Sequence, residues 1–154
     1  MRGKQAPKRI IPGDPKFNNV TLAKFINSLM RKGKKTIAQS VVYGALDIVA
    51  KEAKQEPIKV FDLAIANVAP IIEVKSRRVG GANYQIPVEV KGGRKLALAF
   101  RWIIGAASAK KGKPMSYKLA HEFMDASKKL GDAMKKREDV HRMAEANRAF
   151  AHFA

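Results

Sequence analysis

The first half of the chain places apolar residues three or four positions apart, which is the spacing of helices that bury one face. The first predicted helix runs from about 19 to 31, with Phe25 and Ile26 on its apolar face. Asn19 is a candidate cap at its start, and Gly33 is a candidate stop after its end. The region therefore begins as an amphipathic helix followed by a short glycine loop.

Two further helices are predicted before residue 70. An apolar stripe from Ile37 to Val49 defines the second, and Pro57 marks the start of the third, which Pro70 ends. We expect both to pack into the core, because acids outnumber basic residues in this part of the chain.

The period changes between residues 71 and 91, where apolar residues alternate on either side of Gly80-Gly81. This pattern predicts a β-hairpin, and an even-numbered loop places odd residues of the first strand beside even residues of the second. Pro87 cannot donate a ladder hydrogen bond, so no third strand is expected on that side. One face then carries Glu73, Lys75, Arg77, Val79, Tyr84, Ile86 and Val88, and the other carries Ser76, Arg78, Asn83, Gln85 and Glu89.

Two placements of this hairpin fit the spacing. It projects from the domain as an arm that inserts into a nucleic-acid or multi-component cleft, or it folds back over the helices and buries Tyr84 and Ile86. An arginine, a tyrosine and turn glycines near the tip favour the arm, because they offer phosphate contacts, a stacking surface and close backbone approach.

The second half of the chain returns to helical spacing. A fourth helix carries Trp102, a fifth opens at Pro114, and a sixth follows Gly131 and ends near Arg148. The methionines Met124, Met134 and Met143 are predicted to fill gaps in the core. The predicted fold is mainly α: one six-helix domain over residues 1–154, with a basic N-terminal extension of about 1–16 and a protruding two-stranded hairpin between the third and fourth helices.

Charge is concentrated in two stretches. The 154 residues include 31 Lys and Arg against 13 Asp and Glu, a net charge of +18. Residues 1–36 carry +9 and residues 75–118 carry +10, whereas residues 37–74 carry −2 and residues 119–154 carry +1. Basic residues that only keep a protein soluble are normally mixed with acids. We therefore predict that the two basic stretches fold onto one surface that binds a polyanion.

Several classes of site are excluded or disfavoured. The chain has no cysteine, so it has neither disulfides nor a thiolate metal site. No apolar run approaches a membrane span, and we expect no secretory signal. The three histidines lack the spacing of a metal pair. No nucleophile, base and oxyanion site assemble, so we predict no enzyme, no cofactor and no small-molecule substrate.

Gly33-Lys34-Lys35-Thr36 superficially resembles a phosphate-binding loop. The first glycine of that motif is replaced by Ser28, Lys35 occupies the Ser/Thr position, and a helix precedes the loop instead of a strand. The lysines are interpreted as phosphate contacts at a helix end, with a solvated turn as the alternative.

Three segments resemble one known family. The string from Lys75 to Val90, KSRRVGGANYQIPVEV, is similar to the hairpin of the small-subunit ribosomal protein seven family. Asn19-x-Thr21, Phe25-Ile26, the Gly33 loop and Val41-Val42-x-x-Ala45 resemble its first two helices, and residues 134–150 resemble its last helix and tail. The likeness covers essentially the whole chain and is nearest to bacterial or organellar members.

The resemblance implies a primary binder of the 3′ major domain of small-subunit ribosomal RNA that starts assembly of the subunit head. It implies no membrane partner and a place in the small ribosomal subunit, in the cytoplasm or in an organelle's matrix or stroma. The ribosomal RNA contacts it implies are Lys8, Arg9, Lys34, Lys35, Lys75, Arg94, Lys95, Arg101, Lys110, Lys111 and Lys113. The hairpin tip would lie near exit-site transfer RNA, messenger RNA and neighbouring head and platform proteins, through Arg77, Arg78, Gly80, Gly81, Asn83 and Tyr84.

Three other functions fit the charge alone. An architectural DNA binder would place the ribbon in a groove of the duplex. An RNA-processing enzyme would use a dispersed site. A basic protein on anionic membrane is disfavoured, because no helix pairs a lysine-rich face with a large apolar one.

Overall fold

The computed structural model of the chain describes residues 3, 6–7 and 9–153. Within them, six helices surround one core, and a two-stranded antiparallel sheet lies between the third and fourth helices, as predicted. The helices are α1 (Val20–Leu29), α2 (Lys35–Ala53), α3 (Pro57–Val68), α4 (Gly92–Ala109), α5 (Met115–Ser127) and α6 (Asp132–Ala146), and the strands are β1 (Ile72–Val79) and β2 (Ala82–Glu89).

Local chemistry accounts for the helix boundaries. The Asn19 side chain accepts hydrogen bonds from the backbone N–H of Thr21 and Leu22, at 2.8 and 3.1 Å, and so caps α1. Pro57 occupies the first turn of α3, where its missing N–H costs no hydrogen bond. Helix α1 ends before Gly33, the predicted stop, because Met30 takes an extended backbone with ψ of 132°. The loop that follows turns through positive φ at Lys32 and Gly33 before α2 begins.

The core is centred on four phenylalanines from four helices. Phe25 of α1 lies with its ring centroid 5.4 to 5.5 Å from those of Phe61, Phe100 and Phe123. Most of these pairs are edge-to-face, the arrangement that aromatic quadrupoles favour. Helix α5 packs against α2, α3 and α4. Helices α2 and α3, from the acidic stretch 37–74, both contribute buried residues to the core, as predicted.

Odd residues of β1 lie opposite even residues of β2, as predicted, with Arg77 opposite Tyr84 and Lys75 opposite Ile86. Its placement combines the two alternatives. Ile86 is buried, and the Tyr84 ring lies 5.0 Å from that of Phe150, because both strands pack on α6 and β2 also packs on a 3₁₀ helix, Arg148–Phe153. The distal residues 75–78 and 80–83, by contrast, are exposed.

Two apolar residues were wrongly placed in the core. Met143 is 47% exposed on α6, and Ile37, in the first turn of α2, is 57% exposed. Met134 is buried and Met124 packs against the core, as predicted. The 3₁₀ helix was not predicted, since its few apolar residues form no periodic stripe.

Candidate nucleic-acid interface

A groove of about 630 Å³ runs between α1 and α4. Lys24 and Ser28 line one wall, because residues at i and i+4 share one side of a helix, and Arg31 lines it from the loop after α1. Arg101 and Ser108 lie on the wall formed by α4. None of the described residues that line this groove is acidic, so none of them neutralises the three cations.

A second cavity, of about 410 Å³, adjoins the Gly33 loop. It shares Arg31 and Ser108 with the first groove and adds Lys34 and Lys118, again without an acid. The Gly33 loop and α4 therefore line one continuous surface, as predicted. We call this surface, defined by Lys24, Arg31, Lys34, Arg101 and Lys118, the cationic groove.

The loop before α5 extends the basic surface. Lys118 also lines a third cavity with Lys110, Lys111 and Lys113, and this cavity, unlike the other two, includes an acid, Asp125. The Lys113 ammonium lies 3.8 Å from the centroid of the Tyr117 ring, a cation–π distance that holds the side chain near the cavity.

Lys110 has a structural partner. Its ammonium lies 2.7 Å from the carboxylate of Glu122, which is completely buried and also accepts a hydrogen bond from the Ala133 backbone N–H at 2.9 Å. Burial by itself would lower the pKa of Lys110, but the hydrogen bond to Glu122 and its negative charge raise that pKa. The Lys110 ammonium thus compensates the buried carboxylate of Glu122, which joins α5 to the start of α6.

A second buried carboxylate lies at the base of the hairpin. Glu73 accepts two hydrogen bonds from the Arg94 guanidinium, at 3.0 and 3.2 Å, and its other oxygen lies 3.5 Å from the Lys75 ammonium. Burial would raise the pKa of Glu73, but Arg94 and Lys75 together hold it below its ordinary value. This cluster ties β1 to the first turn of α4.

The hairpin tip exposes Arg77, Arg78 and Asn83, whereas Tyr84 is half-buried. Gly80 and Gly81 have φ of +57° and +91°, which only glycine adopts without strain, so they close the two-residue loop. At the opposite end of the hairpin, the Ile71 backbone N–H donates to the His141 ring nitrogen at 3.3 Å.

Three further predicted contacts, Arg9, Lys35 and Lys95, do not line the three cavities described above. Lys35 is exposed at the start of α2, Lys95 is half-buried on α4, and Arg9 is exposed in the N-terminal extension. That extension is held at Asp14, a buried carboxylate that accepts a hydrogen bond from the Tyr43 hydroxyl at 2.8 Å. Lys8 lies outside the described residues.

Sequence reasoning missed three members of the cationic groove, Lys24, Arg31 and Lys118. The spacing of Lys24, Ser28 and Arg31 could have shown one polar face on the first helix. Lys118 carried no such signal, because its place depends on how α5 packs beside the Gly33 loop.

Among the described residues, no three His, Asp or Glu side chains come together in a way that could hold a metal ion. In the same part of the chain, no helix has the length and apolar character to cross a membrane.

Known proteins are similar to this chain over almost its whole length. The sequence model of the family described as ribosomal protein S7p/S5e matches residues 1–148. The chain is 57% identical to the small ribosomal subunit protein uS7 of Thermotoga maritima over 153 residues, covering 99% of each chain. It is 58% identical to the uS7 protein of Ralstonia pickettii over 152 residues, covering 99% of this chain and 97% of the relative. It is 53% identical to the Syntrophus aciditrophicus uS7 protein over the same length and coverage.

Proposed function

The chain belongs to the ribosomal protein S7p/S5e family, and from this membership we propose that its cationic groove binds the 3′ major domain of small-subunit ribosomal RNA. It is a structural protein of the small ribosomal subunit and not an enzyme. Its partners are therefore ribosomal RNA and other ribosomal proteins. In the proposed role it nucleates folding of the RNA that forms the subunit head.

The observation that carries this proposal is the groove between α1 and α4. Two basic stretches far apart in the chain meet there, and no lining residue is acidic. A surface of this kind neutralises phosphates that would otherwise repel one another when RNA helices pack together. Binding releases condensed counterions, so affinity depends strongly on salt.

Selectivity for the site would come from RNA shape. The major groove of A-form RNA is too narrow for side chains to read, so a protein recognises phosphate geometry and unpaired bases at junctions. The proposed contacts combine the family-implied residues with those found in the groove: Lys8, Arg9, Lys24, Arg31, Lys34, Lys35, Lys75, Arg94, Lys95, Arg101, Lys111, Lys113 and Lys118. Lys110 belongs to the family-implied set as well, and its pairing with Glu122 supports a structural role for it beside the RNA.

The exposed tip of the hairpin supports a second part of the proposal. Arg77, Arg78, Gly80, Gly81, Asn83 and Tyr84 would lie near exit-site transfer RNA and messenger RNA, next to other head and platform proteins. Residues 1–154 would act as one RNA-binding domain in the small ribosomal subunit of the cytoplasm, or of an organelle if the chain is encoded there.

Nuclease footprinting on full-length small-subunit ribosomal RNA tests the proposal. The protein should protect nucleotides within the 3′ major domain, and excess duplex DNA should not remove the protection. Protection spread evenly over the RNA, or equal competition by duplex DNA, would reject the proposed site. Fragmentation of the RNA over time by the pure protein would contradict a structural role.

A further inference from the structure

The cavity beside the Gly33 loop has an apolar floor that phosphate binding does not explain. Leu29, Val41 and Met115 form part of it and are half-buried, and Ile37 is 57% exposed there. An isoleucine in the first turn of a helix, surrounded by cations, gains nothing from contact with phosphate. Covering this floor would remove apolar surface from water, which is favourable in proportion to the area covered.

Cations surround this floor. Arg31, Lys34 and Lys118 line the same cavity, together with the Ser108 hydroxyl, and no acid does. The complementary ligand has a flat, weakly polar part that covers the floor and an anionic part that reaches the cations. A volume of about 410 Å³ lies in the size range of sites for small ligands.

We propose that this cavity takes one unstacked nucleotide of the ribosomal RNA, with its base on the apolar floor and its phosphate among Arg31, Lys34 and Lys118. The inference rests on the function proposed above and adds a defined subsite to it. Sequence-specific RNA recognition commonly uses bases that have left the helical stack, because their faces and edges are then accessible. Among the described residues that line the cavity, Ser108 is the only one with an uncharged polar side chain, so the site would discriminate weakly between bases.

Continuity with the α1–α4 groove favours a polynucleotide over an acidic peptide. The two cavities share Arg31 and Ser108, so a ligand on the apolar floor adjoins the groove that Lys24 and Arg101 line. A nucleic acid carries an anion at every residue and matches cations repeated along that path. An acidic segment of a neighbouring ribosomal protein remains as an outcome that the experiment can detect.

Photo-crosslinking tests the occupant directly. Because the chain has no cysteine, an Ile37→Cys variant carries a single thiol for an aryl-azide photoprobe. The control is Leu63→Cys, at an exposed apolar residue of α3 in the acidic part of the chain. In complexes with full-length small-subunit RNA and in reconstituted subunits, the probe at position 37 should label one or two adjacent nucleotides, and the control should not. Labelling of a ribosomal protein, labelling scattered over many nucleotides, or no labelling would overturn the proposal.

A second variant measures the contribution of the floor without changing charge. Ile37→Ser should lower affinity for the full-length RNA about fivefold to tenfold and leave its salt dependence unchanged, because all cations remain. It should also restore the chemical reactivity of the crosslinked base. Leu63→Ser makes a comparable change at a similarly exposed helical position and should bind like the unmodified protein.

The two proposals fail in different ways. If the unmodified protein binds the RNA with a steep salt dependence but Ile37→Ser binds equally well, only the nucleotide subsite is wrong. If the unmodified protein shows no salt-dependent binding, the proposed function itself is wrong.

Discussion

The cationic groove and the base of the hairpin are both basic, but they differ in whether an acidic side chain pairs with their cations. In the groove, Lys24, Arg31 and Arg101 line the walls with no acid among the lining residues. At the hairpin base, Arg94 and Lys75 share the buried carboxylate of Glu73. The first arrangement leaves its positive electrostatic field available to a polyanion. In the second, the charge of Glu73 balances part of that field, and the ion pairs hold β1 against α4.

The loop before α5 repeats this contrast within four residues. Lys110 compensates the buried Glu122, while Lys111 and Lys113 are exposed. A net charge counted from the sequence therefore overstates the charge that can bind RNA. The number of cations without a buried acid partner is the better guide to the salt dependence of binding.

The largest expected effect on stability comes from removing a buried carboxylate that a cation compensates. Glu122→Ala should reduce the free energy of unfolding by about 1–3 kcal/mol, because the buried backbone N–H of Ala133 at the start of α6 loses its acceptor. Urea denaturation measures this change. Glu138→Ala, on the exposed face of α6, is the control and should stay within about 0.5 kcal/mol. A loss below about 1 kcal/mol for Glu122→Ala would contradict the structural role.

Charge reversal in the groove should affect binding and spare stability. Arg101→Glu should weaken RNA affinity roughly 10- to 100-fold, because one charge-assisted contact contributes about 1.5–3 kcal/mol. Its free energy of unfolding should change by less than about 0.5 kcal/mol. Filter binding and urea denaturation measure the two effects. Lys51→Glu, an exposed position of α2 in the acidic stretch, provides the matched control, and equal weakening by both variants would remove the groove's special role.

Neutralising Glu73 should loosen the hairpin base without weakening the groove. Glu73→Gln should cost about 1–2 kcal/mol of unfolding free energy, because charge-assisted hydrogen bonds become neutral ones. Hydrogen exchange at β1 and β2 should become faster, whereas the salt dependence of RNA binding should not become shallower. A shallower dependence would show that Glu73 supports RNA binding and not only the hairpin.

Acid should remove the Glu73 contribution. The pKa of this carboxyl is lowered in the folded protein, so its contribution is present above the ordinary value of 4.5 and is lost as pH falls through the lowered pKa. The difference in unfolding free energy between the unmodified protein and Glu73→Gln should therefore shrink as pH falls below about 4.5. A difference independent of pH would contradict the ion cluster.

The smallest effect concerns His141, which accepts the Ile71 hydrogen bond and must be neutral to do so. Burial lowers the pKa of His141, and the charge of Arg137 lowers it further. The contribution of this contact is present above the ordinary pKa of about 6.5 and is lost as pH falls below that value through the lowered pKa. An NMR titration of the ring should give a midpoint below about 6.5, and a higher midpoint would contradict the contact.

The sequence predicted the helices and the residues that share each face of the hairpin, because both depend on local periods. The 3.6-residue stripe of Phe25 and Ile26 and the alternation around Gly80-Gly81 are properties of neighbouring residues. It did not predict which cations are compensated. Arg94 is 21 residues from Glu73, and Lys110 pairs with Glu122 across a helix boundary, so these contacts exist only once the helices have packed.

The exposure of some individual side chains was also not predicted from the sequence. Ile37 begins the apolar stripe of α2, but its position in the first turn places it at the cavity beside the Gly33 loop and not in the core. Likewise, the 3₁₀ helix that packs Phe150 against Tyr84 has no periodic signal, so the half-burial of Tyr84 could not be predicted.

The salt dependence of RNA binding tests the central claim most directly, using the unmodified protein and two triple variants. The groove variant combines Lys24→Gln, Arg31→Gln and Arg101→Gln, and the control combines Lys51→Gln, Lys54→Gln and Lys59→Gln on the acidic stretch. For roughly eight phosphate contacts, log K against log salt should have a slope of about −6 to −7, and the groove variant should lose about 2 to 3 of it. The control should keep the full slope. A near-zero slope for the unmodified protein, or equal slopes for all three, would contradict the account.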